Sequence, residues 1–314
     1  MNPTLTHDPV LLEEVLDILA PKADETYLDA TFGRGGYAKA ILDAAPCQVV
    51  AMDRDFEAVE VGQALAQHYP GRLKVIHGRF SDLESLAQQH NLAPVQGIVF
   101  DLGVSSPQLD NPSRGFSFQH DGPLDMGMGL HTQTAAEVVN GEDEKTLADI
   151  LWHYGGERRS RAIAKAIAQQ RLETPFETTH QLAKVVRGVV RRDASGIDPA
   201  TRTFQALRMY INNELEELWR GLCASEALLK PNGVLVVVSF HSGEDGFVKD
   251  FFALLCGKKT IPSVVGGAPT FVCPVSKPLL PSREECQRNP RARSARLRWG
   301  KRTQEPAWAK RIRS

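Results

Sequence analysis

Acidic residues stand at the ends of several short apolar runs in this chain, and a glycine-rich turn follows the first of them. The stretch Leu28-Asp29-Ala30-Thr31-Phe32-Gly33-Arg34-Gly35-Gly36-Tyr37 joins a β-prone run, residues 27–31, to a helix-prone run, residues 37–45. A second β-prone run, 48–52, ends on Asp53. A strand, turn, helix, strand unit with an acid at its second tip suits an adenosine-containing ligand at the carboxyl ends of parallel strands. Glycine lets backbone come close to such a ligand, because no Cβ intervenes. Asp53 lies about 20 residues past the turn, where a carboxylate can accept two ribose hydroxyls. The spacing Gly33, Gly35, Gly36 is neither the dinucleotide pattern G-x-G-x-x-G nor a Walker loop. Asp29 would repel a phosphate. It suits a ligand with an ammonium group, such as the methionine part of S-adenosylmethionine. A tight turn without a ligand is the plainer alternative, and Asp53 at the right distance weakens it.

The elements that must position these residues alternate. A leading helix is expected over 10–19, strands over 27–31, 48–52, 73–76 and 97–102, and helices over 37–45, 56–68 and 83–90. Such alternation gives a parallel sheet with right-handed crossovers. Further strand tips then offer more candidates. The third reads His77-Gly78-Arg79-Phe80-Ser81-Asp82, where Phe80 can lie against an adenine and Asp82 can accept its amino group. The fourth is Asp101-Leu102-Gly103-Val104-Ser105-Ser106-Pro107-Gln108. After it the alternation stops. Residues 105–129 read as loop, and 147–154, 158–170 and 180–190 as helices. Phe204, Leu207, Ile211, Leu215, Leu218 and Leu222 recur at steps of three and four, which predicts one long helix over 201–229, ended by Lys230-Pro231-Asn232-Gly233. The apolar run 234–240 predicts a buried strand. Its tip, Ser239-Phe240-His241-Ser242-Gly243-Glu244-Asp245, is the fifth. A helix over 245–255 and a long loop over 257–282 follow. The fold class is therefore α/β, a mostly parallel Rossmann-like sheet. The expected division is a core over 1–105, a helical insertion over 106–211, and the rest of the core over 212–314.

Charge is unevenly distributed. The chain of 314 residues has a net charge of −1, yet residues 283–314 hold eleven basic residues against three acidic ones. A basic, mostly arginine tail on an acidic body is a polyanion-binding signature; a solvated tail, or one that packs as a final strand of the sheet, is the alternative. Trp299 and Trp308 lie in it and can either stack on bases or join the core. No apolar run is long enough to span a membrane, and the N-terminus does not read as a signal peptide. Five scattered cysteines with no C-x-x-C pair suit a reducing cytoplasm and give no metal signature. The residues alone leave three readings open: an RNA methyltransferase, a methyltransferase for a small molecule or protein, and a non-catalytic RNA- or ribosome-binding protein on the same fold. The tail and the large insertion favour the first.

Several stretches resemble the MraW (RsmH) family, which methylates the 4-amino group of a cytidine in bacterial 16S ribosomal RNA. They are His7-Asp8-Pro9-Val10-Leu11-Leu12, Asp29 to Gly36, Asp101 to Asp110, Arg114-Gly115-Phe116-Ser117-Phe118, and Gly122-Pro123-Leu124-Asp125-Met126. Further on come Pro199 to Arg208, Val238-Ser239-Phe240-His241-Ser242, and Asn289-Pro290-Arg291-Ala292-Arg293-Ser294. They run in order over almost the whole chain. The resemblance implies a class I S-adenosylmethionine-dependent methyltransferase with an inserted helical domain. Its substrate would be 16S rRNA at the decoding region of the small ribosomal subunit, and the protein would be cytoplasmic, a monomer or homodimer. It implies cofactor contacts from Gly35, Gly36, Tyr37, Asp53, Phe80, Asp101 and Gln108. Asp101 is the candidate acceptor for a hydrogen of the reacting amine. Ser105, Ser106 and His241 are candidates for the base edge, and Arg291 and Arg293 for phosphates. Gly127, Gly156, Gly243 and Gly246 stand where the family pattern carries larger residues, and Tyr37 where it often carries His.

Overall fold

The computed structural model describes residues 9–92, 94–129, 133–192, 196–259 and 268–308, apart from the side chains of Ser106 and Pro107. His7 and Asp8 of the first family-like stretch lie outside these. Seven strands form one sheet: β1 (Thr26–Asp29), β2 (Gln48–Asp53), β3 (Leu73–His77), β4 (Val95–Asp101), β5 (Leu229–Ser239), β6 (Phe271–Val272) and β7 (Arg296–Arg302). Their order is β3-β2-β1-β4-β5-β7-β6. The first five are parallel, and β7 runs antiparallel to both neighbours. This is the mostly parallel α/β sheet expected from the sequence. The chain steps outward from β1 to β3 and then returns to β4, so its switch point lies between the carboxyl ends of β1 and β4. That is where doubly wound sheets bind ligands.

Helices α1 (Leu12–Leu19), α2 (Gly36–Ala44), α3 (Phe56–Ala66) and α4 (Leu83–Gln89) accompany the first strands. Next come α5 (Ser106–Asp110), α6 (Ala135–Gly141), α7 (Glu144–His153), α8 (Ser160–Glu173), α9 (Thr179–Val189) and α10 (Thr201–Ile211), then α11 (Glu214–Leu228), α12 (Ser242–Leu255) and α13 (Arg283–Arg288). The chain divides into two compact units, Met1–Gly103 with Glu216–Ser314, and Val104–Leu215. In the first unit, side chains alternate across the strands. Val234, Val236 and Val238 of β5 join Val15, Ala38 and Ile41 on one face. Leu235 and Val237 join Leu222, Val248 and Phe251 on the other. Covering both faces is what makes residues 234–238 of β5 an unbroken apolar run, although residues 230–233, expected only as the end of the preceding helix, also lie within β5. The second unit has its own core, with Leu147, Ile163, Leu182 and Leu207 at its centre.

Two expectations need correction. The helix expected over 201–229 is broken into α10 and α11. Asn213 takes a left-handed φ of 50°, and the buried Asn212 side chain accepts from Met128 N–H at 2.9 Å and donates to Met126 O at 2.8 Å. The apolar period runs through the break, so periodicity alone could not show it.

The basic tail is the second. Residues 296–302 form β7, a strand inside the sheet. Arg296 and Arg298 both bind Asp245, at 3.0 and 2.6 Å. Burial raises the Asp245 carboxyl, but the hydrogen bonds from Arg298 and Arg296 prevail and hold it below its usual range. Arg302 is buried and donates to the carbonyls of Glu226, Thr270, Thr303 and Glu305. Trp308 is buried with its indole N–H on Ala268 O at 2.9 Å, and Trp299 is half-buried. Both tryptophans therefore serve the core. Lys310, Arg311 and Arg313 lie outside the described residues.

Candidate active site

The glycine-rich turn is held by its own chain at every step. Phe32 N–H donates to Met52 O at 2.9 Å, and Gly35 N–H to Phe32 O at 2.6 Å. Gly33 and Gly35 take left-handed φ values of 52° and 76°. A Cβ on Gly35 would fall 2.6 Å from the Phe32 ring, and one on Gly36 would fall 2.4 Å from Pro9. A side chain at Gly35 or Gly36 would thus meet protein atoms, whereas a Cβ on Gly33 would meet only Thr31 O at 3.9 Å. Asp29 is fully buried. One oxygen accepts from Thr31 N–H and the other from Ala38 N–H, both at 3.1 Å. It ties β1 to the first turn of α2 rather than facing outward. Burial pushes its carboxyl up to about 7, against the pull of the two N–H groups. Tyr37 is buried, and its hydroxyl donates to Val10 O. Any ligand contact at this position runs through backbone.

Asp53 ends β2 half-buried. Gly33 N–H donates to one of its oxygens at 2.8 Å and Asp55 N–H to the other at 2.9 Å. Burial raises its carboxyl and these N–H groups pull it down. A third backbone N–H, that of Arg54, also pulls it down, and the carboxylate's remaining lone-pair capacity suits a hydroxyl. Phe80 lies in a short 3₁₀ turn (Phe80–Asp82), half-buried, its ring edge-on to Phe100 at 5.2 Å. Glu217 pins this turn by accepting from Ser81 N–H at 3.0 Å and from Ser81 Oγ at 3.1 Å. Gly221 leaves room for Phe80, since a Cβ there would sit 2.8 Å from that residue's Cβ. Asp82 is exposed and accepts from Arg79 N–H at 3.2 Å, so it caps the turn.

Asp101 ends β4. Its backbone N–H donates to Thr31 Oγ1 at 2.6 Å, which joins the first and fourth tips. Its Oδ1 is buried with no hydrogen-bond partner among the described residues. Burial pushes this carboxyl up to about 8, and the charges of Asp29 and Glu244 add to the rise. Glu244 is itself buried and accepts from Phe240 N–H at 3.2 Å. His241 caps α12: its Nδ1 accepts from Glu244 N–H at 3.3 Å. Its Nε2 lies 2.8 Å from Glu244 Oε1 but off hydrogen-bond geometry. An acceptor Nδ1 places the neutral ring's proton on Nε2. The ring thus caps its own helix through Nδ1, while Nε2 has no hydrogen-bond partner among the described residues.

Asp29, Asp53, Asp101 and Glu244 therefore gather four acids at neighbouring strand tips. Crowding carboxylates in a desolvated place favours protonation of some of them or the arrival of a positive ligand. A sulfonium or ammonium fits, and so does a hydrogen-bond donor aimed at Asp101 Oδ1. Thr31, Glu217 and Glu244 were not singled out from sequence. Glu244, three residues after His241 where a strand meets a helix, has the spacing of a capping acid, and that signal was legible.

Ser105 and Gln108 belong to the second unit, where Gln108 Oε1 accepts from Ser105 N–H at 2.9 Å. Ser106 opens α5, and its side chain is outside the described residues. Arg291 and Arg293 stand exposed on a short 3₁₀ segment (Pro290–Ser294).

The model of the MraW methylase family matches residues 4–303. The chain belongs to this family. S-adenosylmethionine is the methyl donor of the family, and the unpartnered Asp101 oxygen among carboxylates fits its positive charge. The ribosomal RNA small subunit methyltransferase H of Rhodospirillum rubrum is 50% identical over 98% of this chain and 98% of its own. The protein of the same name from Acidiphilium cryptum is 53% identical over 95% and 98%. A solved rRNA methylase from Streptococcus thermophilus superposes with a TM-score of 0.42 at 11% identity, over 93% of this chain and 95% of its own. Among the described residues, no helix is long and apolar enough to cross a membrane.

Proposed function

We propose that this chain methylates the 4-amino group of a cytidine in 16S rRNA, at the decoding region of the small ribosomal subunit. The names of its family relatives support ribosomal RNA as the substrate class. The observation that carries the chemistry is the buried, unpartnered Oδ1 of Asp101 at the switch point of the sheet.

S-adenosylmethionine supplies an electrophilic methyl group on a sulfonium. Asp53 would accept a ribose hydroxyl, and Phe80 would lie against the adenine. The first-turn N–H groups of Gly36 and Tyr37, which have no intrahelical acceptor, would hold the polar end of the ligand. A cytosine amine is a poor nucleophile because its lone pair is conjugated into the ring. Asp101, ionised beside a cation, accepts one N–H of that amine and localises the lone pair on nitrogen. When bound, the cofactor would supply the methyl group and its sulfur would keep the bonding pair; Asp101 would take the surplus amine proton and pass it to water. Most of the rate comes from positioning and from this fixed charge. The base leaves its stack to reach the site. On the family resemblance, Gln108 serves the cofactor, Ser105 and Ser106 the base edge, and Arg291 and Arg293 the phosphates.

Nucleoside mass mapping of 16S rRNA from cells with and without this protein tests the reading. One N4-methylated cytidine should disappear with the protein and return with purified protein, cofactor and subunits. An unchanged map would reject it.

A further inference from the structure

The second unit carries a cationic, aromatic patch that the proposed chemistry does not use. α7 ends at His153, and the turn into α8 folds back on it. Gly156 N–H donates to Trp152 O at 3.0 Å, and Glu157 N–H to Leu151 O at 3.1 Å. The start of α10 lies against the same turn: a Cβ on Gly155 would fall 2.5 Å from Arg202 O. One end of these three helices therefore displays Trp152, Arg158, Arg159, Arg161 and Arg202, all exposed. Trp152 leaves 53% of its surface in solvent.

None of the four arginines has an ion pair among the described residues, whereas Arg187 of α9 and Arg208 of α10 hold Asp198 and Glu214. The acid within the turn, Glu157, is buried and accepts from the backbone N–H of Arg159 at 2.8 Å. Arg158, Arg159 and Arg161 also crowd the start of α8, where the helix dipole disfavours cations. Neither folding nor helix stability accounts for this grouping. A large apolar ring amid unneutralised guanidiniums matches single-stranded nucleic acid, which offers base faces between phosphates.

We propose that this patch docks a single-stranded segment of the RNA substrate, with Trp152 stacked on an unpaired base and the arginines on the flanking phosphates. The proposal rests on the reading that RNA is the substrate. A mixed-sequence single-stranded RNA oligonucleotide and isolated small ribosomal subunits are the probes, titrated from low to high salt. Replacing Arg158, Arg159 and Arg161 together by Ala should weaken binding by tenfold or more at physiological salt. It should also flatten the slope of log K against log salt by about 2, at roughly 0.7 for each phosphate no longer neutralised. Trp152→Ala should weaken binding about tenfold and leave the slope unchanged, and Trp152→Phe should restore most of it. Cofactor affinity should match the parent in all three. In the unmodified protein, RNA should slow phenylglyoxal labelling of these arginines, a readout that needs no variant to fold. Parent-like affinity and slope in the triple variant, no protection from labelling, or equal losses for Ala and Phe at position 152 would overturn the proposal. If the patch variants methylate subunits with the parent KM, only the docking surface is wrong. If the parent itself methylates no subunit RNA, the functional reading has failed instead.

Discussion

Asp53 and Asp101 hold matching places, each the last residue of a parallel strand in one sheet, yet their surroundings differ. Both oxygens of Asp53 accept a backbone N–H. Asp101 has an oxygen buried with no hydrogen-bond partner among the described residues, and burial together with two neighbouring acids pushes the carboxyl up to about 8. A satisfied carboxylate is a fixed acceptor whose remaining lone pairs hold neutral hydroxyls. An unsatisfied one carries an uncompensated desolvation cost that a cation or donor relieves. In the proposed function, the same residue type at the same kind of strand end would hold in one case and react in the other.

The largest effect that separates them is on turnover. Asp101→Asn keeps the shape and removes the charge, and should slow single-turnover methylation of small subunits by at least about 100-fold. Near-parent rates in a folded variant would erase the distinction. Asp53→Ala should act on binding instead, weakening S-adenosylmethionine by about 1–3 kcal/mol, read by calorimetry. Unchanged affinity would remove Asp53 from the ribose.

A smaller effect lies in the stability of the cofactor-free protein. The folded Asp101 carboxyl is raised, so its contribution is fully present below the unfolded value near 4 and is lost as pH rises through about 8. Asp101→Asn should therefore melt higher than the parent at pH 8–9, by about 0.5–2 kcal/mol, and the gap should close toward pH 4. Equal melting at both ends would mean that Asp101 does not titrate as described. The smallest expected change is from Glu244→Gln. Removing that neighbouring charge should lower the Asp101 titration seen by carboxyl NMR and leave Asp53 in place. A shift in Asp53 alone would show that the two sites are not electrostatically distinct.

Much of the sheet was legible because residues 234–238 of β5 are apolar without interruption and the earlier strands alternate with amphipathic helices. Asp53 and Asp101 were legible as strand ends. What lies around them was not, because the burial of Asp101 Oδ1, the capping by His241 and the inward turn of Asp29 depend on packing across the sheet. The basic residues show the same limit. Arg296, Arg298 and Arg302 read as a nucleic-acid tail, but Asp245 and four carbonyls absorb them. Arg158, Arg159 and Arg161 drew no notice in sequence, and in the fold they stand without an ion pair among the described residues. Charge composition gives the supply of cations, and only the folded chain shows which are spent.

The unspent charge of Asp101 can be counted directly. At pH 7 a carboxyl raised to about 8 is mostly protonated, and a bound cation favours its ionised form, so binding should expel the proton. Calorimetric titration of S-adenosylmethionine in buffers of different ionisation enthalpy gives the number of protons released. The parent should release up to about one more proton than Asp101→Asn, with the excess vanishing above about pH 9. Equal proton release from parent and variant across that range would contradict the assignment of Asp101 as the carboxylate that meets the charged ligand.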